Sequence, residues 1–500
     1  MKKHLRSALA LLLVASLAFS MLAMASFAGG VNPYNLLVVG DSTAQGYMLS
    51  DYDGGNAAIG DHSSPSALPH QMKLYLEEKL GREVDLYNYC STGWRPNEFY
   101  AVMEPGFKDY DGYCVEHIDD RDSEVFAELY ELYKDGQEAG KFQSVFNYSD
   151  IYKCFNQAVT DADLIVYDLG MNNFGTYLCW RLMDLIDNGF EGNSPKWDDD
   201  YTDLIALSSP EAAKSIGDTR NFLYEKLGEL LGSDNEQIVK IAKQAINMFL
   251  YCYGSYIVYF EKGIDKIYEL NDDVQLIVVG MYNGMAGLTA QVGDIALPFG
   301  DIMGALYTSM NLYVTGVNAH CHQYKYADLS GGIEIFMDEI SSGSMTEATA
   351  KVLLSDGSSK EALKSGAPEE RILANFSAAA NNKVIDLMGV FETMGKGEEE
   401  YGQLVVKALC EENFEEVDPG IRDFIHVYTR FLASNGVGTH PSLKGCQQIT
   451  KAVIKAYNAS YAANGALLVG VAKTTAFFGI DIIKKIISVV LDSIKRFFGC

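Results

Sequence analysis

Apolar residues along this chain gather in short unbroken runs, each closed by glycine and small polar residues. Leu36-Leu37-Val38-Val39 ends in Gly40-Asp41-Ser42. Val84 to Tyr89 ends in Ser91-Thr92-Gly93, Leu164 to Tyr167 in Asp168-Leu169-Gly170, and Val274 to Val279 in Gly280-Met281-Tyr282-Asn283. Runs of this length bounded by turn residues read as strands buried on both faces. A helical pattern separates each pair. The alternation predicts an α/β fold with a parallel sheet and a site at the carboxyl ends of its strands. Two segments compete for a fifth strand, Tyr324 to Ala327 and Lys383 to Leu387, and the first is preferred.

The spacing between strands is uneven. Residues 104–150, 180–270 and 335–425 are longer than a crossover helix requires and read as mostly helical insertions rich in Asp, Glu and Tyr. Insertions of this size on a catalytic scaffold commonly wall or cap a site. The core unit is then 29–465, flanked by two segments of different character.

At the amino end Lys2, Lys3 and Arg6 precede an apolar stretch from Ala8 to Ala18, and Ala23-Met24-Ala25 or Ser26-Phe27-Ala28 offers a small-x-small cleavage site. Residues 1–28 are expected to be a secretory signal peptide, which places the mature protein outside the cell or at its surface. At the carboxyl end, within 466–500, Asp481, Lys484, Lys485, Ser488, Asp492, Lys495 and Arg496 form one helical stripe against a wide face of Ile, Val, Leu and Phe. Charges at every turn make this too interrupted for a spanning helix. Packing on the protein's own core, contact with a membrane surface and pairing with a partner helix all remain open for it.

Composition narrows the partners. The 500 residues carry 39 basic and 67 acidic side chains, a formal charge of −28. Sequence-independent binding to nucleic acid or anionic lipid needs a field of Lys and Arg, so no nucleic-acid partner is expected. Nine cysteines, an odd number without dense spacing, predict few disulfides and several buried thiols. No C-x-x-C occurs, and His320-Cys321-His322 lacks an identifiable third ligand, so no metal or cofactor is expected.

Candidate chemistry lies in the turns. Ser42 follows the first strand and precedes a helix, a geometry that presents a hydroxyl beside backbone N–H groups. His440 stands in Thr439-His440-Pro441-Ser442, ahead of the helical run Gln447 to Tyr457; the proline keeps it off a helix interior. An imidazole there can serve as the base that a weakly nucleophilic serine needs. Gly93, after the second strand, lets a backbone N–H approach a ligand. Asn172, after the third, offers an uncharged amide donor.

These four loops together resemble the SGNH hydrolase superfamily, the GDSL-type esterases and lipases. Val38-Val39-Gly40-Asp41-Ser42, Tyr87 to Gly93, Asp168 to Phe174 and Thr439 to Gly445 are similar to its four blocks, in the same order. The resemblance covers about half the chain. It implies a three-layer α/β/α flavodoxin-like fold and metal-free hydrolysis of carboxylic esters, with Ser42 as nucleophile and His440 as base. Ser42, Gly93 and Asn172 would form the oxyanion hole. The apolar, Tyr-rich insertions and the tail favour a lipid or other hydrophobic acyl ester over an O-acetylated glycan. A non-catalytic cell-surface binding protein on the same scaffold is the rival. Two positions depart from the family pattern: Val437 where an Asp usually orients the His, and Asn173 where an Asp usually ends the third block. A backbone carbonyl, Asp418 or Asp423 could take over the first role. Trp94 and Arg95 are expected beside the pocket, and Asn147, Asn375 and Asn458 begin Asn-x-Ser sequons.

Overall fold

The computed structural model describes residues 33–52, 63–90, 94–104 except 102, 148–173, scattered positions in 210–224, 236–292, 295–318 except 298, 324–343, 347–386 except 356 and 365, and 439–461. The signal-peptide segment, residues 91–93 with Gly93, the His320–His322 triplet, Asp418, Asp423, Val437, Asn147 and the 466–500 tail lie outside the described residues.

The chain runs β1 (Tyr34–Gly40), α1 (Ser42–Gln45), α2 (Leu68–Leu80), β2 (Val84–Cys90), α3 (Pro96–Ala101), α4 (Tyr148–Asp161), β3 (Leu164–Asp168) and a 3-10 turn (Met171–Asn173). It continues through α5 (Glu236–Leu270), β4 (Gln275–Val279), β5 (Thr289–Val292), β6 (Ile295–Leu297), α6 (Phe299–Asn318) and β7 (Lys325–Ala327). The last elements are α7 (Phe336–Ser341), α8 (Glu347–Ser355), α9 (Gly357–Lys364), α10 (Glu369–Asn382), β8 (Val384–Asp386) and α11 (Leu443–Asn458).

The main sheet has five parallel strands in the order β2-β1-β3-β4-β7. All four strands read from the apolar runs are in it, and the fifth is the preferred segment at Lys325–Ala327. The other segment also forms a strand, but β8 joins a small second sheet, parallel to β5, with β6 antiparallel on the other side. Strand order reverses between β2 and β3 around β1, and the crevice at such a reversal is where open α/β sheets bind ligands.

Helices cover both faces of the main sheet. Consecutive strand residues point to opposite sides. Tyr167 meets the rings of Phe99 on α3 and Phe260 on α5, with centroids 5.5 and 5.8 Å away. The next residue, Asp168, faces the other way, toward the side where α2 packs on β2, and where α11 packs on α2, β4 and β7. Leu36, Leu37, Leu164, Ile165, Val166, Leu276 and Ile277 are inaccessible to solvent, as central parallel strands require.

The carboxyl part of the 180–270 stretch is a core element. Helix α5 is the crossover between β3 and β4, and it buries Tyr251, Tyr256, Ile257, Tyr259 and Phe260. These three tyrosines therefore fill the interior. At the far ends of the strands, the Asn271 amide donates to the carbonyls of Val159, Thr160 and Ala162, all within 3.0 Å, fixing the starts of β3 and β4 relative to α4.

Candidate active site

Helix α1 begins at the end of β1 because Asp41 caps it. The Asp41 backbone is extended, and its Oδ1 accepts from the Thr43 N–H at 2.8 Å. Ser42 is then the first helical residue, and its N–H has no intrahelical carbonyl to bond. Close packing of α1 on the strand ends requires Gly40. A β-carbon there would stand 2.4 Å from Ala44 Cβ and 3.1 Å from Cys90 Sγ.

His440 is carried to this point by a separate clamp. The Phe336 N–H donates to the His440 carbonyl at 2.9 Å, and Ser442 N–H donates to the Glu334 carbonyl at 3.1 Å, on either side of an antiparallel bridge between Ile335 and Pro441. Ser442 caps α11 by accepting from Gly445 N–H, and its hydroxyl donates to Glu334 Oε1 at 3.0 Å. The Lys444 ammonium pairs with the other Glu334 oxygen. The Tyr282 hydroxyl reaches the Thr439 carbonyl at 3.5 Å. The result brings His440 Nε2 to 3.0 Å from Ser42 Oγ across 398 positions of chain.

Burial lowers the His440 imidazole to about 4, so it is neutral at physiological pH and its Nε2 can accept a proton. Its Nδ1 is buried, and among the described residues it has no hydrogen-bond partner. The ring lies on Tyr47, centroid to centroid 5.2 Å, with the planes inclined by 46°.

Asn172 lies within reach of the cap of the helix that carries Ser42. Its amide nitrogen donates to Asp41 Oδ2 at 3.0 Å and to the Trp94 carbonyl at 3.1 Å. Both of its N–H groups thus have acceptors in the protein, and stabilising an oxyanion means exchanging one of them. Asn173, next in the chain, is wholly buried, and its amide has no hydrogen-bond partner among the described residues.

A second carboxyl lies beside Asp41. Asp168 ends β3 opposite Gly40 and is buried, and its Oδ2 has no hydrogen-bond partner among the described residues. Burial pushes Asp168 well above the usual carboxylate range, and the Asp41 charge adds to this. Burial also raises Asp41, opposed by its hydrogen bonds from Thr43. Two such groups do not both ionise readily, so the pair retains a proton near neutrality.

The remaining expectations resolve as follows. Trp94 and Arg95 are both buried. The Trp94 ring stacks on Phe155 at 5.9 Å, and Arg95 is paired with Glu98, so both side chains are held in the interior. Cys90, Cys252 and Cys446 are buried free thiols. The Asn458 amide donates to the Tyr75 hydroxyl at 2.7 Å and the Ile454 carbonyl at 2.8 Å, while Asn375 lies inside α10, so neither sequon is presented in an open loop. Among the described residues, no group of three His, Cys, Asp or Glu side chains is placed to hold a metal ion, and no helix is long and apolar enough to cross a membrane. The roles of Tyr47, Glu334, Tyr282 and Asp168 were not anticipated from the sequence. Only the Asp41 cap had a local signal, an acidic residue immediately before a helix start.

No model of a known protein family matches the chain, and no curated protein matches it.

Proposed function

We propose that this chain is an exported serine hydrolase that cleaves carboxylic esters, built on the α/β/α plan of the SGNH superfamily. The observation that carries the reading is the 3.0 Å contact between Ser42 Oγ and His440 Nε2. A serine at a strand-to-helix turn, hydrogen-bonded to a neutral imidazole, is the arrangement needed to make a hydroxyl nucleophilic.

In the proposed reaction His440 takes the Ser42 proton as Oγ attacks the ester carbonyl. The Ser42 N–H, the Gly93 N–H and the Asn172 amide stabilise the tetrahedral oxyanion, the alcohol leaves with the proton from His440, and a water activated by His440 releases the acid. An exposed leucine close to His440 in sequence and the aromatic rings at Tyr47 support a hydrophobic acyl group. Leu443, three residues after His440, is 49% exposed, and the ring of Tyr52 meets that of Tyr47 with centroids 5.4 Å apart and planes inclined by 58°.

The test compares the wild-type protein with Ser42→Ala on p-nitrophenyl acetate, butyrate and octanoate. Activity in the wild type that vanishes in the variant, rising with chain length, is the expected result. A preference for acetate would move the substrate to O-acetyl esters such as those of glycans. Equal, background rates for both proteins on all three esters would overturn the hydrolase reading. They would favour a binding protein on the same scaffold, the reading to which a His440 Nδ1 with no partner among the described residues lends weight.

A further inference from the structure

In serine hydrolases a carboxylate on the far nitrogen of the imidazole both orients the ring and stabilises its protonated form. No described residue supplies one to His440. Asp41 bonds Thr43 and Asn172, Glu334 bonds Ser442 and Lys444, Tyr282 bonds the Thr439 carbonyl, and Asp168, whose Oδ2 has no partner among the described residues, lies beside Asp41; none of these hydrogen-bonds His440 Nδ1. What meets the imidazole is the ring of Tyr47.

Tyr47 is held firmly in that position. Its N–H donates to the Ser42 carbonyl at 3.0 Å, so it is anchored to the nucleophile's own backbone. It sits between two residues in the left-handed region, Gly46 at φ 69° and Met48 at φ 73°. Glycine adopts that conformation freely. Methionine does not, and such a residue persists only where its surroundings enforce it. Met48 is buried, and the Tyr47 ring also meets that of Tyr52, centroid to centroid 5.4 Å. The reversal of the chain after α1 therefore fixes the Tyr47 ring against His440.

We propose that Tyr47 is a positioning residue for the Ser42–His440 pair, its ring holding the imidazole at the angle that presents Nε2 to Ser42 in place of a carboxylate on Nδ1. The inference rests on the hydrolase reading for its catalytic consequence, though not for its physical content. A ring contact fixes orientation and excludes water without adding charge. It is therefore compatible with an imidazole whose proton affinity is reduced by burial alone, which a carboxylate partner would have reversed.

The test uses the full chain with Tyr47→Phe and Tyr47→Leu, read two ways: steady-state kinetics on p-nitrophenyl butyrate, and NMR titration of His440, assigned by the resonances lost in His440→Gln. Tyr47→Phe should keep kcat within about twofold and leave the titration low. Tyr47→Leu should lower kcat by about tenfold to a hundredfold with KM little changed, because a misplaced base acts on the chemical step. Its His440 should titrate nearer the ordinary imidazole value. A folded Tyr47→Leu protein with wild-type kcat and titration would overturn the proposal, as would a Tyr47→Phe protein impaired as badly as the leucine variant. If Tyr47→Leu does not fold, Tyr47→Met takes its place under the same criteria. If the wild-type protein hydrolyses no ester, the hydrolase reading fails by itself. The titration still decides whether Tyr47 seats the imidazole, and equal values in wild type and Tyr47→Leu reject it.

Discussion

The Asn172 side-chain amide donates to the Asp41 carboxylate at 3.0 Å, linking the turn after β3 to the cap of the helix that carries Ser42. Replacing Asn172 with alanine removes a proposed oxyanion donor and leaves Asp41 Oδ2 buried without that partner. The expected outcome is a fall in kcat of about 10²–10³ with KM little changed. Stability should drop by about 1–3 kcal/mol, the cost of an unsatisfied buried acceptor. Steady-state kinetics and a denaturant melt on the same preparation separate the two effects.

In the proposed reaction the lowered His440 value sets the acid limb of the activity profile. A base that stays unprotonated down to about pH 4 keeps kcat/KM high well below pH 6.5, where an unperturbed imidazole would already have lost half its activity. The folded-state value lies below the unfolded one, so the neutral imidazole's contribution to stability is complete above about pH 6.5. It is lost as pH falls through the folded value. A kcat/KM profile from pH 3.5 to 8 checks the first statement. A limb centred near 6.5 would show that a negative group faces the imidazole.

Asp168 acts with the opposite sign. Its folded-state value is raised, so its burial is tolerated at low pH and becomes destabilising as pH rises above the unfolded value of about 3.9. Asp168→Asn should therefore gain stability relative to wild type as pH increases, by about 1.4 kcal/mol for each pH unit in which the folded protein keeps the proton and the unfolded chain has lost it. Melts of the two proteins at pH 5 and pH 8 measure the difference. A gap that does not widen with pH would mean that Asp168 ionises normally in the fold.

Gly40→Ala should displace α1 from the strand ends, since the added carbon would lie 2.4 Å from Ala44 Cβ. Overpacking of this kind costs about 1–3 kcal/mol, and here it also moves Ser42 away from His440. Adding Ala44→Gly removes the nearest clash while leaving Cys90 Sγ at 3.1 Å. The double variant should regain part of the lost activity, which a double-mutant cycle in kcat would reveal as coupling.

The main sheet was legible because each of its buried strands is a continuous apolar run closed by a turn. The small sheet was not. Thr289–Val292 and Ile295–Leu297 are too short to carry a period, and Val384–Asp386 finds its partner by parallel pairing across the chain. Ser42 and His440 could be picked out from residue type, neighbours and position relative to predicted elements. Tyr47 could not, because its contact with His440 depends on a backbone reversal at Met48 and on a histidine almost four hundred positions away. Glu334 was hidden for the same reason: what it holds, Ser442 and Lys444, is a hundred residues downstream. Tyrosines of α5 looked like wall material in the sequence because a Tyr-rich helix reads alike whether its rings fill a core or line a cleft.

The two members of the Ser42–His440 contact come from the first strand's turn and from the loop entering the last described helix. A ribosome that has made the first four hundred residues has made Ser42 without His440. Under the proposed hydrolase reading, partial translation products and chains cut before Thr439 would be silent toward esters however well their sheets have formed. The contact forms only with α11, which docks on β4 and β7 and on α2 as it carries His440 into place. The order of synthesis would then delay the proposed chemistry until the site's second half exists.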